Sequence, residues 1–332
     1  MEQPKNKADI VAVLQGYRAS DIMSSGVETG IFEALSDGPL SVEQVRRRAG
    51  ISRRGADIML HALASTGLVS KKKDLFGLTA VSKKYLLADS PDSMCNYIRH
   101  NANLRKLWAK LSEAVETGKP VPKTFENIGK TNTQRHDNYI YAMYEASREP
   151  AARLAETIGL KSVHKVLDVG GGPGNYVFAM IEKNPAISAV VLDQADTLEI
   201  TKELISSLGM SASVETMEAD FNKDSFGSGY DLILMSGIIH MNSEKQNEKI
   251  VGKAFRALNP GGRIIINNFM LDDRRTGPAH AAMFSVNMLV NTEGGRSYSR
   301  SEVKSWLRAA GFKNITAEQM PPRTVIVTGT KK

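Results

Sequence analysis

Six residues in one short segment have types and spacing suited to chemistry: Asp168, Gly170, Gly171, Gly172, Gly174 and Asn175, in the string Leu-Asp-Val-Gly-Gly-Gly-Pro-Gly-Asn. Glycine lacks a Cβ, so such a loop lets backbone approach a ligand closely. A dinucleotide fingerprint needs G-x-G-x-x-G, and counting from Gly170 the third glycine would fall on Asn175. The pattern is instead D-x-G-x-G-x-G, with an acid before the loop. Asp168 would repel a pyrophosphate but suits a cationic amino-acid tail.

Two further acids stand at matching places. Asp193 closes the next apolar run, about 20 residues beyond the loop, where a carboxylate can accept both ribose hydroxyls. Asp220 follows the run after that, with Phe221 beside it. That pair can hydrogen-bond an adenine amino group and cover the ring. Cationic tail, ribose and adenine together describe S-adenosylmethionine (SAM). Read as structure alone, the acids would be helix caps and Phe221 a core aromatic.

His240 follows a fourth apolar run, in Gly237-Ile238-Ile239-His240-Met241-Asn242. Methyl transfer is in-line attack on a sulfonium methyl, and an oxygen acceptor attacks better after losing its proton. Histidine is the natural base near neutral pH. The other histidines, His61, His100, His136, His164 and His280, show no ligand spacing, so no metal-dependent mechanism is expected.

These residues need a frame. Val166–Val169, Ala189–Leu192, Val214–Met217, Leu232–Met235 and Arg263–Ile266 read as buried strands with helical segments between most of them, which predicts a parallel sheet covered on both faces. Ile315–Glu318 and Val325–Val327, around Pro321-Pro322, predict an antiparallel hairpin at the sheet edge. The first part of the chain has helical spacing. Ser41-Val42-Glu43-Gln44 reads as a capping box. Two helices ending near Gly50 and Gly67, followed by short strands around Lys71–Asp74, have the layout of a winged helix. The expected fold is therefore α/β: a Rossmann-like, doubly wound SAM-binding domain with an antiparallel C-terminal hairpin, preceded by an otherwise all-helical winged-helix domain. The expected boundaries are 1–105 for the winged helix, 106–150 for connecting helices that wall an acceptor pocket, and 151–332 for the catalytic domain.

The 332 residues fit two domains, and 42% hydrophobic with 24% charged is ordinary for a folded chain. A net charge of +7 raises nucleic acid or anionic membrane as partners. Much of the excess lies in short runs, Arg46-Arg47-Arg48, Lys71-Lys72-Lys73 and Lys331-Lys332, which read as solvated surface. One cysteine, Cys95, precludes an internal disulfide. The polar residues before Asp9 do not resemble a secretory signal, and no apolar run approaches the roughly 20 residues of a membrane span. A cytoplasmic protein is expected, with neither membrane nor nucleic acid as partner.

The string L-D-V-G-G-G-P-G-N, with a winged-helix half before it, resembles the SAM-dependent O-methyltransferases of the caffeic acid, hydroxyindole and bacterial polyketide type. G-I-F-E-A-L, G-L-V, L-N-P-G-G-R and A-A-G-F fall where that family has counterparts, from about Ala12 to the end. The resemblance implies a homodimer built by the N-terminal half and a small aromatic or polyketide-like acceptor. It implies cofactor contacts at Asp168, Gly170, Gly172, Gly174, Asp193, Asp220 and Phe221, and at Ser236, where many plant members carry lysine. It makes His240 the base, with H-M-N in place of the family's H-D-W. The two glutamates that orient this histidine align with Asn268 and Ser297, so a neutral Asn268 would hold the imidazole. Matched positions put Tyr139, Met143, Met288 and Thr292 in the acceptor pocket. Two readings compete: a carbon or nitrogen methyltransferase, or non-methylating SAM enzyme, of the same fold; and a winged-helix DNA-binding regulator using Arg46–Arg48, Arg53 and Arg54.

Overall fold

The computed structural model describes residues 3–122 and 132–332, and the chain divides into two compact units, Met1–Arg105 and Lys106–Lys332.

The first unit begins with α1 (Lys7–Gln15), α2 (Tyr17–Glu28), α3 (Ile31–Ala34), α4 (Val42–Ala49) and α5 (Arg53–Ser65). The antiparallel hairpin β1 (Val69–Lys72) and β2 (Leu75–Leu78) follows, then α6 (Ala80–Tyr85); α7 (Cys95–Trp108) runs through the unit boundary. The short strands expected around Lys71–Asp74 are this hairpin, and it forms the wing of the otherwise helical unit. The Ser41 capping box forms: Ser41 N–H donates to Gln44 Oε1 at 2.9 Å and Gln44 N–H returns to Ser41 Oγ at 3.4 Å. Ile31, Phe32, Leu35, Val45, Leu60, Leu63, Val69 and Phe76 fill the core. The Arg46–Arg48 run is paired with acids of its own unit, Arg46 and Arg47 sharing Glu43 at 2.8 and 2.9 Å and Arg48 on Asp37 at 3.1 Å.

In the second unit, α8 (Leu111–Thr117) and α9 (Asn132–Thr157) precede β3 (Lys165–Val169), α10 (Asn175–Lys183), β4 (Ser188–Asp193), α11 (Ala195–Ser207), β5 (Val214–Glu218) and β6 (Tyr230–Ser236). A short 3-10 turn, Ile239–Met241, leads to α12 (Glu244–Ala257), β7 (Leu258–Asn268), α13 (Ala279–Asn291), α14 (Arg300–Ala309), β8 (Lys313–Met320) and β9 (Thr324–Thr330). Helix α9 continues through residue 150, with Pro150 inside it. Strand β7 includes Asn259-Pro260-Gly261-Gly262, and the register against β6 shifts between Tyr230 and Leu232 to take up these residues.

The sheet order is β5-β4-β3-β6-β7-β9-β8. The first five strands are parallel, and β9 and β8 close the edge antiparallel. The chain winds from β3 outward to β5, then returns to β6 on the other side of β3. That reversal opens a crevice at the carboxyl ends of β3 and β6, where open α/β sheets bind ligands. Alternation sorts the faces. Val166, Val191, Leu232, Leu234 and Ile265 pack with α9, α10 and α11. Leu167, Leu192, Ile233, Ile264 and Ile266 pack with α12 and α14. By the same period of two, Asp168, Ser236 and Asn267 face the first layer and Asn268 the second.

Candidate active site

The glycine loop leaves β3 and enters α10. Gly170, Gly172 and Gly174 all have positive φ, at 65°, 54° and 91°. A Cβ on Gly170 would stand 2.6 Å from Ile238 Cγ2, so space as well as torsion demands glycine there. The loop is pinned from β4 and from the helix that follows it, α11. Gly170 N–H donates to Leu192 O at 2.8 Å, and Gly172 N–H to Asp193 Oδ2 at 2.9 Å. Thr201 Oγ1 donates to Gly172 O at 2.7 Å. Asn175 ties α10 to α9 through Tyr144 O and Ser147 Oγ, at 2.7 and 2.8 Å.

Asp168 is 1% exposed and neither carboxylate oxygen has a partner. Burial, reinforced by the negative Asp193, pushes its pKa up to about 8. Burial also raises Asp193, against the N–H donors of Gln194 and Gly172 that favour its charge. At the end of β5, Lys223 holds Asp220 at 2.9 Å and lowers its pKa, with Asn222 N–H on the other oxygen at 2.9 Å. Phe221 is partly buried beside Gly170. Lys253 Nζ donates to Phe221 O and Asp224 O at 2.6 and 2.8 Å, bracing this loop. Ser236 meets two residues the motif reading missed: Asn267 Nδ2 donates to Ser236 Oγ at 3.0 Å and to Tyr176 OH at 3.3 Å. Tyr176 follows Asn175 on α10, and Asn267 immediately precedes Asn268. Their signal was polar residues at the open end of otherwise apolar elements.

His240 rides on the 3-10 turn after β6, its Nδ1 3.1 Å from Asn268 Oδ1. The same oxygen accepts the Phe269 backbone N–H at 2.8 Å. An N–H can only donate, so this atom is the amide oxygen, and the His240 nitrogen facing it must carry a proton. The Nε2 lone pair is left for another proton. Phe284 of α13 packs edge-on, ring centroids 4.7 Å apart, and Phe269 lies 4.8 Å beyond it. Burial lowers the His240 pKa to about 4, only partly opposed by the Asn268 hydrogen bond. Ser297 is buried and donates to Ala281 O at 2.8 Å. The third residue of the H-M-N string, Asn242, accepts from Asn222 Nδ2 at 3.3 Å and, through its carbonyl, from Tyr298 OH at 2.6 Å.

The four acceptor-pocket candidates differ in setting. Met288 is 5% exposed and Met143 half-buried. Thr292 spends its hydroxyl on backbone, donating to Met288 O at 2.8 Å and accepting Gly295 N–H at 3.0 Å. Tyr139 keeps 39% of its surface, while burial of its hydroxyl and the nearby Asp193 charge raise its pKa. That places Tyr139 beside the second-strand acid. Among the described residues no three His, Cys, Asp or Glu side chains could jointly hold a metal ion.

The set fits SAM on its own terms. An enclosed, unpartnered carboxylate at Asp168 calls for a cation, the loop offers backbone in a glycine-only conformation, and acids stand at the ends of three successive strands.

Comparisons with known proteins agree. Residues 108–313 match the O-methyltransferase domain and residues 11–88 the O-methyltransferase dimerisation domain. The 3-hydroxy-5-methyl-1-naphthoate 3-O-methyltransferase of Streptomyces sahachiroi is 33% identical over 95% of this chain and 93% of its own. The tetracenomycin polyketide synthesis 8-O-methyl transferase of Streptomyces glaucescens is 27% identical over 98% and 97%. Human N-acetylserotonin methyltransferase, solved with SAM, superposes with a TM-score of 0.89 at 21% identity, over 100% of this chain and 99% of that one.

Proposed function

The chain belongs to the O-methyltransferase family, and from that premise we propose that it methylates a hydroxyl of an aromatic or polyketide-like molecule with His240 as the base. It is a SAM-dependent methyltransferase. When bound, SAM supplies an electrophilic methyl group on a sulfonium centre. Asp168 takes the tail ammonium, Gly170, Gly172 and Gly174 give close backbone passage, and Asp193 accepts the ribose hydroxyls. Asp220 and Phe221 serve the adenine, and Ser236, with Tyr176 and Asn267, lines the methionine end. His240 Nε2 receives the hydroxyl proton while Asn268 holds the ring. Met143 and Met288 line the acceptor side; Tyr139 lines the join between acceptor and ribose, and Thr292 shapes the wall through its backbone contacts.

The observation that carries the base assignment is the shared Asn268 oxygen, which leaves His240 Nε2 unprotonated. The test is incubation with methyl-labelled SAM and a panel of hydroxynaphthoates and hydroxyanthraquinones, read by product mass. A methyl ether is expected. Labelled carbon- or nitrogen-methyl products, with none on oxygen, would overturn the reading.

The second assignment is a homodimer. In α1 and at the start of α2, Ile10, Val13, Leu14 and Tyr17 are 58, 54, 72 and 50% exposed, an apolar surface within the dimerisation-domain match or one residue from it. Among the described residues no helix is long and apolar enough to cross a membrane. A SAM-consuming enzyme of this kind is placed in the cytoplasm, which cell fractionation would test.

A further inference from the structure

The surroundings of His240 limit what it can deprotonate. From β7 it receives the neutral Asn268 amide, from α13 the edge of Phe284. The other titratable group of that corner, His280, lies beyond Phe269 at 5.9 Å and bonds Arg323 O at 2.7 Å. Ser297 is committed to Ala281 O. Among the described residues, only burial and the Asn268 hydrogen bond set the proton affinity of His240. Protonating Nε2 would leave an imidazolium in an apolar enclosure facing one amide dipole. Among the described residues no carboxylate compensates it, and an uncompensated buried charge is costly. Uphill transfer to the ring costs one factor of about ten for every unit by which the acceptor's pKa exceeds that of the base.

We propose that this enzyme selects acidified hydroxyls, phenols or naphthols whose conjugate base is stabilised by a conjugated carbonyl, quinone or carboxyl group, and that Asn268 is the residue imposing this restriction. The proposal rests on the O-methyltransferase reading and narrows its substrate class. The hydroxyl proton passes to His240 Nε2, or has already passed to solvent. An oxygen lone pair forms the new O–CH3 bond as the methyl–sulfur bond breaks, its electron pair returning to sulfur in the neutral thioether product. An ordinary phenol, with a pKa near 10, presents too steep a first step. A hydroxyl several units more acidic does not.

The test uses a ring-matched series of substituted naphthols and hydroxynaphthoquinones at saturating SAM. Wild-type kcat should rise severalfold per unit of acceptor acidity at fixed pH. Its pH profile should follow each acceptor's own ionisation. Asn268→Asp keeps an oxygen for both the Phe269 N–H and His240 Nδ1–H, and adds the missing charge. It should raise kcat for the least acidic naphthols at least tenfold, change it little for the most acidic ones, and add a histidine limb to the pH profile. Asn268→Leu should lose turnover throughout while SAM affinity persists. Rates independent of acceptor acidity, or an Asn268→Asp protein that binds SAM yet shows no preferential gain on weak acids, would overturn the proposal while leaving O-methylation intact. No methyl ether from any member of the series would instead overturn the O-methyltransferase reading.

Discussion

The carboxylate of Asp193 accepts the backbone N–H of Gly172 at 2.9 Å, so the acid assigned to the ribose also holds the loop that receives the rest of the cofactor. One side chain thus carries two losses when removed. Asp193→Ala should weaken SAM binding by about 100-fold or more, since a hydrogen bond to a charged group is worth roughly 1.5–3 kcal/mol and more than one is lost. Asp193→Asn, which can still accept from Gly172, should fall between. Calorimetric titration with SAM measures both; unchanged affinity in Asp193→Ala would remove Asp193 from the site.

Asp168 makes cofactor binding depend on pH. Its folded-state pKa of about 8 lies above its ordinary value, so the unliganded fold binds this proton more tightly than the unfolded chain does. The penalty of ionising it is absent below about pH 4 and grows as pH rises toward 8. A bound ammonium reverses the preference and favours the carboxylate. SAM affinity should therefore increase from pH 6 to 8, with proton release visible as a dependence of the binding heat on buffer ionisation enthalpy. Asp168→Asn should raise the Tm of the unliganded protein at pH 8, by roughly 2–4 °C per kcal/mol relieved, and weaken SAM binding. A flat SAM affinity across that pH range would count against an ammonium at Asp168.

His240→Ala should lower kcat by roughly 100- to 10,000-fold with an acceptor hydroxyl still protonated at the assay pH, the usual contribution of a positioned base. SAM affinity should persist, because His240, on the turn after β6, is assigned to the acceptor hydroxyl and to none of the cofactor contacts. A loss below about tenfold, measured by single-turnover methyl transfer, would assign the rate to proximity alone.

Where a residue's job follows from strand order, the linear sequence revealed it. Asp168, Asp193 and Asp220 stand at or just past the carboxyl ends of strand-like segments, and the winding of β3, β4 and β5 brings those ends to one crevice. What stayed hidden depends on pairing between distant strands. Ser236 and Asn267 are register partners across β6 and β7, and Tyr176 reaches them from α10. No local spacing joins those three. The neutral partner of His240 could be read as a substitution; that its oxygen is shared with Phe269 N–H, which sets the tautomer, required the turn after β7. Thr292 shows the converse. A position matched to a pocket spends its hydroxyl on backbone at the end of its own helix, Met288 O and Gly295 N–H.

The apolar face of α1 offers a separate test. Leu14 is 72% exposed and Ile10 58%, and paired aspartates there should leave the fold intact while opposing burial against a second copy. Ile10→Asp with Leu14→Asp is expected to convert the dimer to monomer by sedimentation. A wild-type protein that sediments as a monomer at micromolar concentration would remove the homodimer assignment.

The Asn222–Asn242 bond connects the adenine loop to the turn that carries the base. Asn222 lies two residues beyond Asp220, and Asn242 two beyond His240. Asn242 is 4% exposed and fixed on its other side by Ile238 O at 3.3 Å and Tyr298 OH at 2.6 Å. Asn222 Oδ1 is buried without a partner, so the pair is poised on one bond rather than cushioned by several. Asn222→Ala should release the turn without touching acceptor or sulfonium. The expected result is a three- to tenfold fall in kcat with a smaller rise in KM for SAM, following from a lost neutral hydrogen bond of about 1 kcal/mol. Asn222→Ser, able to donate at shorter reach, should recover part of kcat. A merely structural role would lower Tm and leave kcat per folded enzyme unchanged, so turnover of the soluble fraction, titrated for SAM sites, separates the two.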